Sequence, residues 1–438
     1  MMNTEIFGTF GPACRKENIL EQMIKAGMTG IRLNLSHTTL PESAEYIEAY
    51  QKASEACGVF PQILIDMKGP ELRVGRLREC IKLPEVSVYN QEDNKKLPNL
   101  SVNNSENGEK LPSLSIYTDK IDEKLSSLSL YNDKVDRKLS FVSLYEMCGR
   151  KEPNVVFCTQ EKYDKLSSLS IYNNDNNQKL PSLSLYIPVP DEALAVLEIG
   201  DEVLLDDGKI LLKVIEKEAD AQENVRGENI EEENCEQKFS GSVKARILRG
   251  GTLASGKSIK IRDKYVNLPP LTMHDIENIK VAEQYGVTAL MQPFVLSGED
   301  IREVRRTLKE YGAEDILIFA KIENRMGVAH LQDILPEADV IVIARGDLGN
   351  DMPLWELPRV QKEIEKACRR AGKPYIVVTQ MLASMEENPV PTRAEVSDIY
   401  HAVFHGAWGV MLTGETAVGK YPVEAVTYLA NTAREAER

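Results

Sequence analysis

The chain has 438 residues, a formal net charge of -15 and a hydrophobic fraction of 42%. That length suits one large barrel or two to three ordinary domains, and the apolar content suffices for a sizeable core. The acidic excess argues against nucleic acid or an anionic membrane surface as the main partner, while leaving room for a basic pocket that takes a small anion.

The N-terminus, MMNTEIFGTFGPAC, has no basic region followed by an apolar stretch, and no run approaches membrane-spanning length. An apolar run over residues 5–10 predicts a first strand, followed by a helix over 17–26. A second strand over 30–36, a helix over 42–56 and a third strand over 62–67 come next. The rhythm breaks there and resumes near Thr272 with the helical string HDIENIKVAEQYG. The strands TALMQPFV, ILIFAKIE, VIVIARGD, YIVVTQM and GVMLTGE then alternate with helices up to the closing PVEAVTYLANTAREAE. Near-continuous Val/Ile runs between helices indicate parallel strands buried on both faces. Eight such units predict a (β/α)8 TIM barrel over 1–75 and 264–438. An open doubly wound sheet is the alternative that strand counting leaves.

The interruption, residues 76–263, predicts an inserted β domain after the third strand. Its distal strings GDEVLLDDGKILLKVIE and GSVKARILRGG alternate like antiparallel strands around a turn at Asp206, Asp207 and Gly208. The charged run 216–237 reads as a solvated loop. Variants of KLPSLSIY begin at Lys96, Lys110, Lys124 and Lys138, then at Lys165 and Lys179, each 14 residues after the last within its group. Such regularity points to tandem duplication of a short segment. The repeats, at about 96–186, hold no candidate ligand, and loop length costs only logarithmically. Excising 96–186 is therefore expected to leave the barrel folded. The seven cysteines form no CxxC pair, which fits a reduced, cytoplasmic compartment rather than a zinc cluster.

In a barrel of this kind the working residues sit at the C-terminal ends of the strands. Polar groups cluster at seven of the eight predicted ends, too many to attribute to solvation alone. Glu323 and Asp347, on adjacent strand ends, suit one hard divalent cation such as magnesium, which leaves room for water and substrate oxygens. Lys321 lies two residues before Glu323 and so shares its strand face. A lysine beside such a metal suits a phosphoryl group in transfer. Arg32 and Arg73 suit a phosphate or carboxylate. Gly346, next to Asp347, lets a ligand approach the backbone. Taken singly, each of these residues also fits a salt-bridged barrel rim.

The strings GTFGPAC, GIRLNLSH, LIDMKGPELRVG, DDGKI, VNLP, AKIENRMGV, ARGDLG, TQMLASM, PTRAEVSD and LTGETAVGKYPVEAV resemble the pyruvate kinase family, in family order and across nearly all of the barrel. A lid domain inserted after the third strand is also the family's arrangement. The resemblance implies transfer of phosphate from phosphoenolpyruvate to ADP, giving pyruvate and ATP, as the last step of glycolysis. It implies that Glu323 and Asp347 bind magnesium or manganese. Lys321 would stabilise the phosphoryl group, Arg32 would contact it, and Thr379 would lie near the carbon that gains a proton. Asn34, Ser36, Asp66 and the carbonyl of Met67 would bind potassium, and Glu71 matches potassium-dependent members. Pro12, His37 and Lys257 would lie near the nucleotide, with Asp207 on the lid. A homodimer is implied by the family's use of the helix after Asp347 at a subunit interface.

Four departures stand out. Pro293 replaces a usual serine beside the substrate, Leu296 a common arginine, Met67 a threonine, and Asn350-Asp351 a usual Val-Glu pair. The chain ends after the eighth helix, so the expectation is that the family's C-terminal regulatory domain is missing. The competing readings are a non-catalytic paralogue that only binds ligands, and a metal-dependent lyase acting on a pyruvate enolate.

Overall fold

The computed structural model describes residues 4–36, 38–83, 154–168, 185–218 and 241–438. They fall into two compact units, Met1–Glu71 with Asn267–Arg438, and Leu72–Val266. In the first unit eight parallel strands close into a barrel: Glu5–Thr9, Gly30–Asn34, Gln62–Asp66, Ala289–Gln292, Leu317–Ile322, Val340–Ala344, Tyr375–Val378 and Gly409–Met411. The first strand pairs with both the second and the eighth, so the sheet has no edge.

Each strand is buried on both faces because alternate residues serve two cores. Phe7, Leu64, Met291, Phe319, Val342, Ile376 and Met411 fill the barrel interior. Their neighbours Ile6, Ile31, Ile63, Leu290, Ile318, Ile341, Val377 and Val410 pack outward against the helices. Gly30 is required by this filling: a Cβ there would come within 2.7 Å of the Phe7 ring. The helices carry sequence-encoded ends. Thr272 and Thr392 form capping boxes with Asp275 and Glu395, and Gly58 and Gly372 close helices in the left-handed conformation. Among the described residues, no helix is long and apolar enough to cross a membrane.

Several strands stop short of the expected bounds, each for a local reason. The fourth ends at Gln292 because Pro293 has no N–H to donate and Phe294 takes φ +55°. The seventh ends at Val378 because Thr379 and Gln380 both take positive φ. The expected helix over 42–56 begins instead at Ala44, after a 3-10 turn Pro41–Ser43.

In the second unit the described strands form an open six-stranded sheet and a two-stranded sheet, Gly251–Leu253 with Ile81–Leu83. Ile210–Glu218 and Ser242–Arg249 bury alternate residues, Ile210, Leu212 and Val214 on one and Val243, Ala245 and Ile247 on the other. The turn between Glu202–Leu205 and Ile210–Glu218 is built from three left-handed residues, Asp206, Asp207 and Gly208. The charged run expected to be a loop from residue 216 is strand up to Glu218, whose partner is Ser242. Its remainder lies outside the described residues.

Most of the repeats also lie outside them. Lys165 to Ser168, which open the fifth copy, complete the helix Gln160–Ser168, while Leu185 and Tyr186, which end the sixth, start the strand Leu185–Pro188. Between the two groups of repeats stands Asn154–Cys158, paired to Ser242–Arg249 on one side and parallel to Leu185–Pro188 on the other. Its Val155 and Phe157 are fully buried. An excision of 96–186 would therefore take out a strand of the sheet as well as the repeats. Removing 96–145 is expected to leave both units cooperatively folded, whereas removing 96–186 is expected to unfold the insert and spare the barrel. Limited proteolysis with urea titration distinguishes the two, and an insert equally protease-resistant in both deletions would refute the structural role given to Asn154–Cys158.

Candidate active site

The barrel interior changes character towards the C-terminal ends of its strands. Alternation places Arg32 two residues beyond Gly30, Asp66 two beyond Leu64, and Lys321 and Glu323 two and four beyond Phe319, all on the inward face. A polar layer thus lies directly above the aromatic one. Strand pairing sets Asn34 opposite Asp66, and Asp66 opposite Met291.

Asp66 is the hub of this layer. Its Oδ2 accepts from Arg32 Nε at 2.8 Å and from Nη2 at 2.5 Å, and both its oxygens lie 3.3 Å from Lys321 Nζ. Arg32 Nη1 also donates to the Thr9 hydroxyl at 3.3 Å. Lys321 Nζ lies 2.8 Å from Glu323 Oε1, and Glu323 Oε2 accepts from the Phe294 backbone N–H at 2.8 Å. The side chains of Asp66, Lys321 and Glu323 are 3%, 13% and 1% exposed, so these charges act in a poorly solvated setting. Burial disfavours the Asp66 carboxylate, but Lys321 and Arg32 outweigh it and its pKa is lowered. Burial likewise opposes the Lys321 ammonium, yet Asp66 and Glu323 keep its pKa raised. Burial pushes Glu323 up to about 7, against the pull of Lys321.

Glu323 Oε1 is buried, and among the described residues it meets only the Lys321 ammonium, at 2.8 Å. A buried carboxylate oxygen with one partner keeps a further lone pair for a cation. Asp347 follows the neighbouring sixth strand, in the first turn of Arg345–Asp351, and is exposed. These two carboxylates fit a hard divalent ion that keeps part of its water shell.

Thr379 directly follows the seventh strand at φ +69°, with Gln380 at +54°. A β-branched residue in that region is an outlier costing roughly 1–3 kcal/mol, sustained only where the surroundings impose it. Gly346 N donates to Thr379 Oγ1 at 2.8 Å, and Arg345 Nη2 donates to Thr379 O at 2.7 Å. Gly346 has room for this approach, since even a Cβ there would stand 3.5 Å from that hydroxyl.

The other anticipated residues are placed as follows. Asn34 Oδ1 accepts from Ser36 N at 3.1 Å, which gathers two of the four expected monovalent-cation ligands at the end of the second strand. Asp66 stands across from them, and buried Met67 follows it. Pro12 is exposed, beside Gly11, where a Cβ would strike the Ala417 carbonyl at 2.4 Å. His37 lies outside the described residues. Arg73, Asp207 and Lys257 belong to the inserted unit. There Arg73 Nη1 donates to Gly256 O at 2.8 Å, Lys257 Nζ pairs with Asp206 at 2.8 Å, and Ser258 Oγ donates to Asp207 Oδ1 at 2.9 Å. Pro293 directly precedes Phe294, whose N–H holds Glu323, and Leu296 lies two residues beyond it.

Three contributors have no role assigned by the sequence alone. Phe294 acts through its backbone N–H. Asp275, fully buried, accepts from the N–H groups of Lys68 and Gly69 and so fixes the chain leaving the third strand. Arg345 grips Thr379. The capping pattern around Thr272 was a signal for Asp275; Arg345 is marked only as a polar residue at a strand end, and no local pattern marks Phe294.

A family profile described as pyruvate kinase, barrel domain, matches residues 1–105 and 170–426. The pyruvate kinase of Bacillus licheniformis is 32% identical over 438 residues, covering 100% of this chain and 57% of that protein. The pyruvate kinase of Geobacillus stearothermophilus is 33% identical over 436 residues, 99% of this chain and 57% of that protein. The pyruvate kinase of Staphylococcus haemolyticus is 30% identical over 437 residues, again across 57% of its length. The chain thus spans a little over half the length of these curated relatives.

Proposed function

The chain belongs to the pyruvate kinase family, and from that membership and the ionic centre of its barrel we infer that it transfers the phosphoryl group of phosphoenolpyruvate to ADP. The single observation that carries this reading is Lys321. A buried ammonium, held between Asp66 and Glu323 at the C-terminal mouth of a parallel barrel, is a preorganised positive charge. Such a charge stabilises a developing phosphoryl charge without reorganising at the moment of reaction.

Arg32 shares Asp66 with Lys321, so the two cations face the phosphoryl group together. Their carboxylate partner holds both side chains in place. Glu323 and Asp347 would hold magnesium or manganese, which when bound polarises the phosphoryl and enolate oxygens. The Thr379 hydroxyl, already accepting from Gly346 N, keeps its own proton to direct at the enol carbon or a water beside it. Asn34, Ser36, Asp66 and the Met67 carbonyl would bind potassium. The reaction would be the last step of glycolysis, in the cytoplasm, carried out by a homodimer.

A coupled assay for pyruvate, with and without ADP, tests the reading. Pyruvate formation that requires ADP supports it, formation without ADP means that water takes the phosphoryl group and points to hydrolysis, and ligand binding with no turnover of phosphoenolpyruvate points to a non-catalytic paralogue or a lyase. Activity is further expected to need a divalent metal and to rise strongly with potassium. Full activity in sodium-only or lithium-only buffer would remove the monovalent site from the proposal.

A further inference from the structure

We infer that Arg345, with Asp398 behind it, is a positioning residue that holds Thr379 in its left-handed backbone conformation and so aims the Thr379 hydroxyl into the barrel mouth. The inference rests on the reading of Thr379 as a group beside the substrate.

Two successive non-glycine residues at φ +69° and +54° do not arise from local preference, least of all when the first is β-branched. Something outside the segment must impose them, and the contacts show what does. The sixth and seventh strands pair in register up to Ala344 opposite Val378. The next residue on each strand breaks the ladder, and side-chain chemistry takes over. Arg345 Nη2 donates to the Thr379 carbonyl at 2.7 Å, while Gly346 N donates to the Thr379 hydroxyl at 2.8 Å. The carbonyl and the hydroxyl of Thr379 are thereby gripped by two consecutive residues that follow the neighbouring strand. Freed from the guanidinium, the carbonyl could turn outward and φ could relax to negative values, which would carry Oγ1 away from Gly346.

Arg345 is itself buried, and a buried cation needs a counter-charge. Asp398, on the helix Arg393–Phe404 that follows the seventh strand, supplies it through Nη1. The guanidinium is therefore fixed at one end by a carboxylate, and its other end meets the Thr379 carbonyl at 2.7 Å and the Met381 thioether at 2.9 Å. Planar, multiply donating arginine can do both at once; lysine, with a compact ammonium, cannot reproduce that fork.

The test uses the full chain with threonine methyl groups labelled for NMR, in the wild type and in Asp398→Asn, Arg345→Lys and Arg345→Met. The Thr379 methyl resonance, assigned through Thr379→Ser, is expected to move least in Asp398→Asn, further in Arg345→Lys and furthest in Arg345→Met. The rate of deuterium exchange into the methyl group of pyruvate should fall in the same order, by roughly 10- to 100-fold at the extreme. The KM for phosphoenolpyruvate should change less than threefold, about the spread expected where uniform binding is untouched. Asp398 is half-exposed, so Asp398→Asn and Arg345→Lys decide the matter if Arg345→Met does not fold. A Thr379 resonance that stays in place in every folded variant overturns the inference, as does an exchange rate unchanged in all of them. Should the wild type itself catalyse no exchange, the functional reading fails, and the resonance alone decides the role of Arg345.

Discussion

Lys321→Met is expected to lower kcat for phosphoryl transfer by about a thousandfold or more, as when preorganised charge stabilisation is lost. The methionine keeps much of the stem's length and removes the ammonium that lies 2.8 Å from Glu323 and 3.3 Å from Asp66. Phosphoenolpyruvate binding should weaken less, because Arg32 remains on Asp66. Exchange of the pyruvate methyl protons should partly survive, since that step uses Thr379, which follows a strand two places away in the barrel order. Stability falls too, but by less than the about 3–5 kcal/mol of a fully broken buried pair. Asp66 keeps its arginine, and Glu323, already pushed up to about 7, can take a proton once its lysine is gone. Stopped-flow transfer rates, thermal unfolding and manganese titration by electron paramagnetic resonance separate these effects. Near-normal transfer in a folded Lys321→Met would reduce the lysine to a rim ion-pair partner.

The parts of this site that could be read from the chain were those set by short-range periodicity. Lys321 and Glu323 share a face because strand alternation is two, and the strand ends are polar because the barrel mouth is the one place where inward residues meet solvent and ligand. The hub role of Asp66 could not be read that way. Its partners lie 34 and 255 residues away along the chain, on the second and fifth strands, and only the assembled sheet brings them together. The grip of Arg345 on Thr379 depends on a backbone conformation that threonine does not favour, so propensity pointed away from it. Asn154–Cys158 was hidden differently. It is a five-residue strand between two blocks of repeats, and its short NVVFC run does not share the repeat period that marks its neighbours.

Asp66→Asn is expected to destabilise the barrel by about 3–5 kcal/mol, the cost of breaking a buried ionic centre by removing one partner. The substitution is nearly isosteric, so packing is preserved and the loss is electrostatic. Arg32 Nη2 and Lys321 Nζ both contact the same oxygen, Oδ2, and without the charge two buried cations face each other across a neutral amide. With the amide oxygen in the Oδ2 position its NH2 group takes the Oδ1 position, 3.3 Å from Lys321 Nζ, where donor meets donor. Lys321 would shed its proton more readily, and transfer would suffer with it. By the same reasoning, the triple substitution Arg32→Met, Asp66→Leu and Lys321→Met should be more stable than Asp66→Asn alone, because well-packed apolar groups avoid the desolvation that the ions undergo. It would also be inactive. Urea unfolding of the single and triple variants measures the difference. If Asp66→Asn unfolds within 1 kcal/mol of the wild type, on the order of a surface substitution, Asp66 is not the hub that its contacts make it. A triple variant less stable than the single one would mean that the ionic centre supports the fold as well as the chemistry.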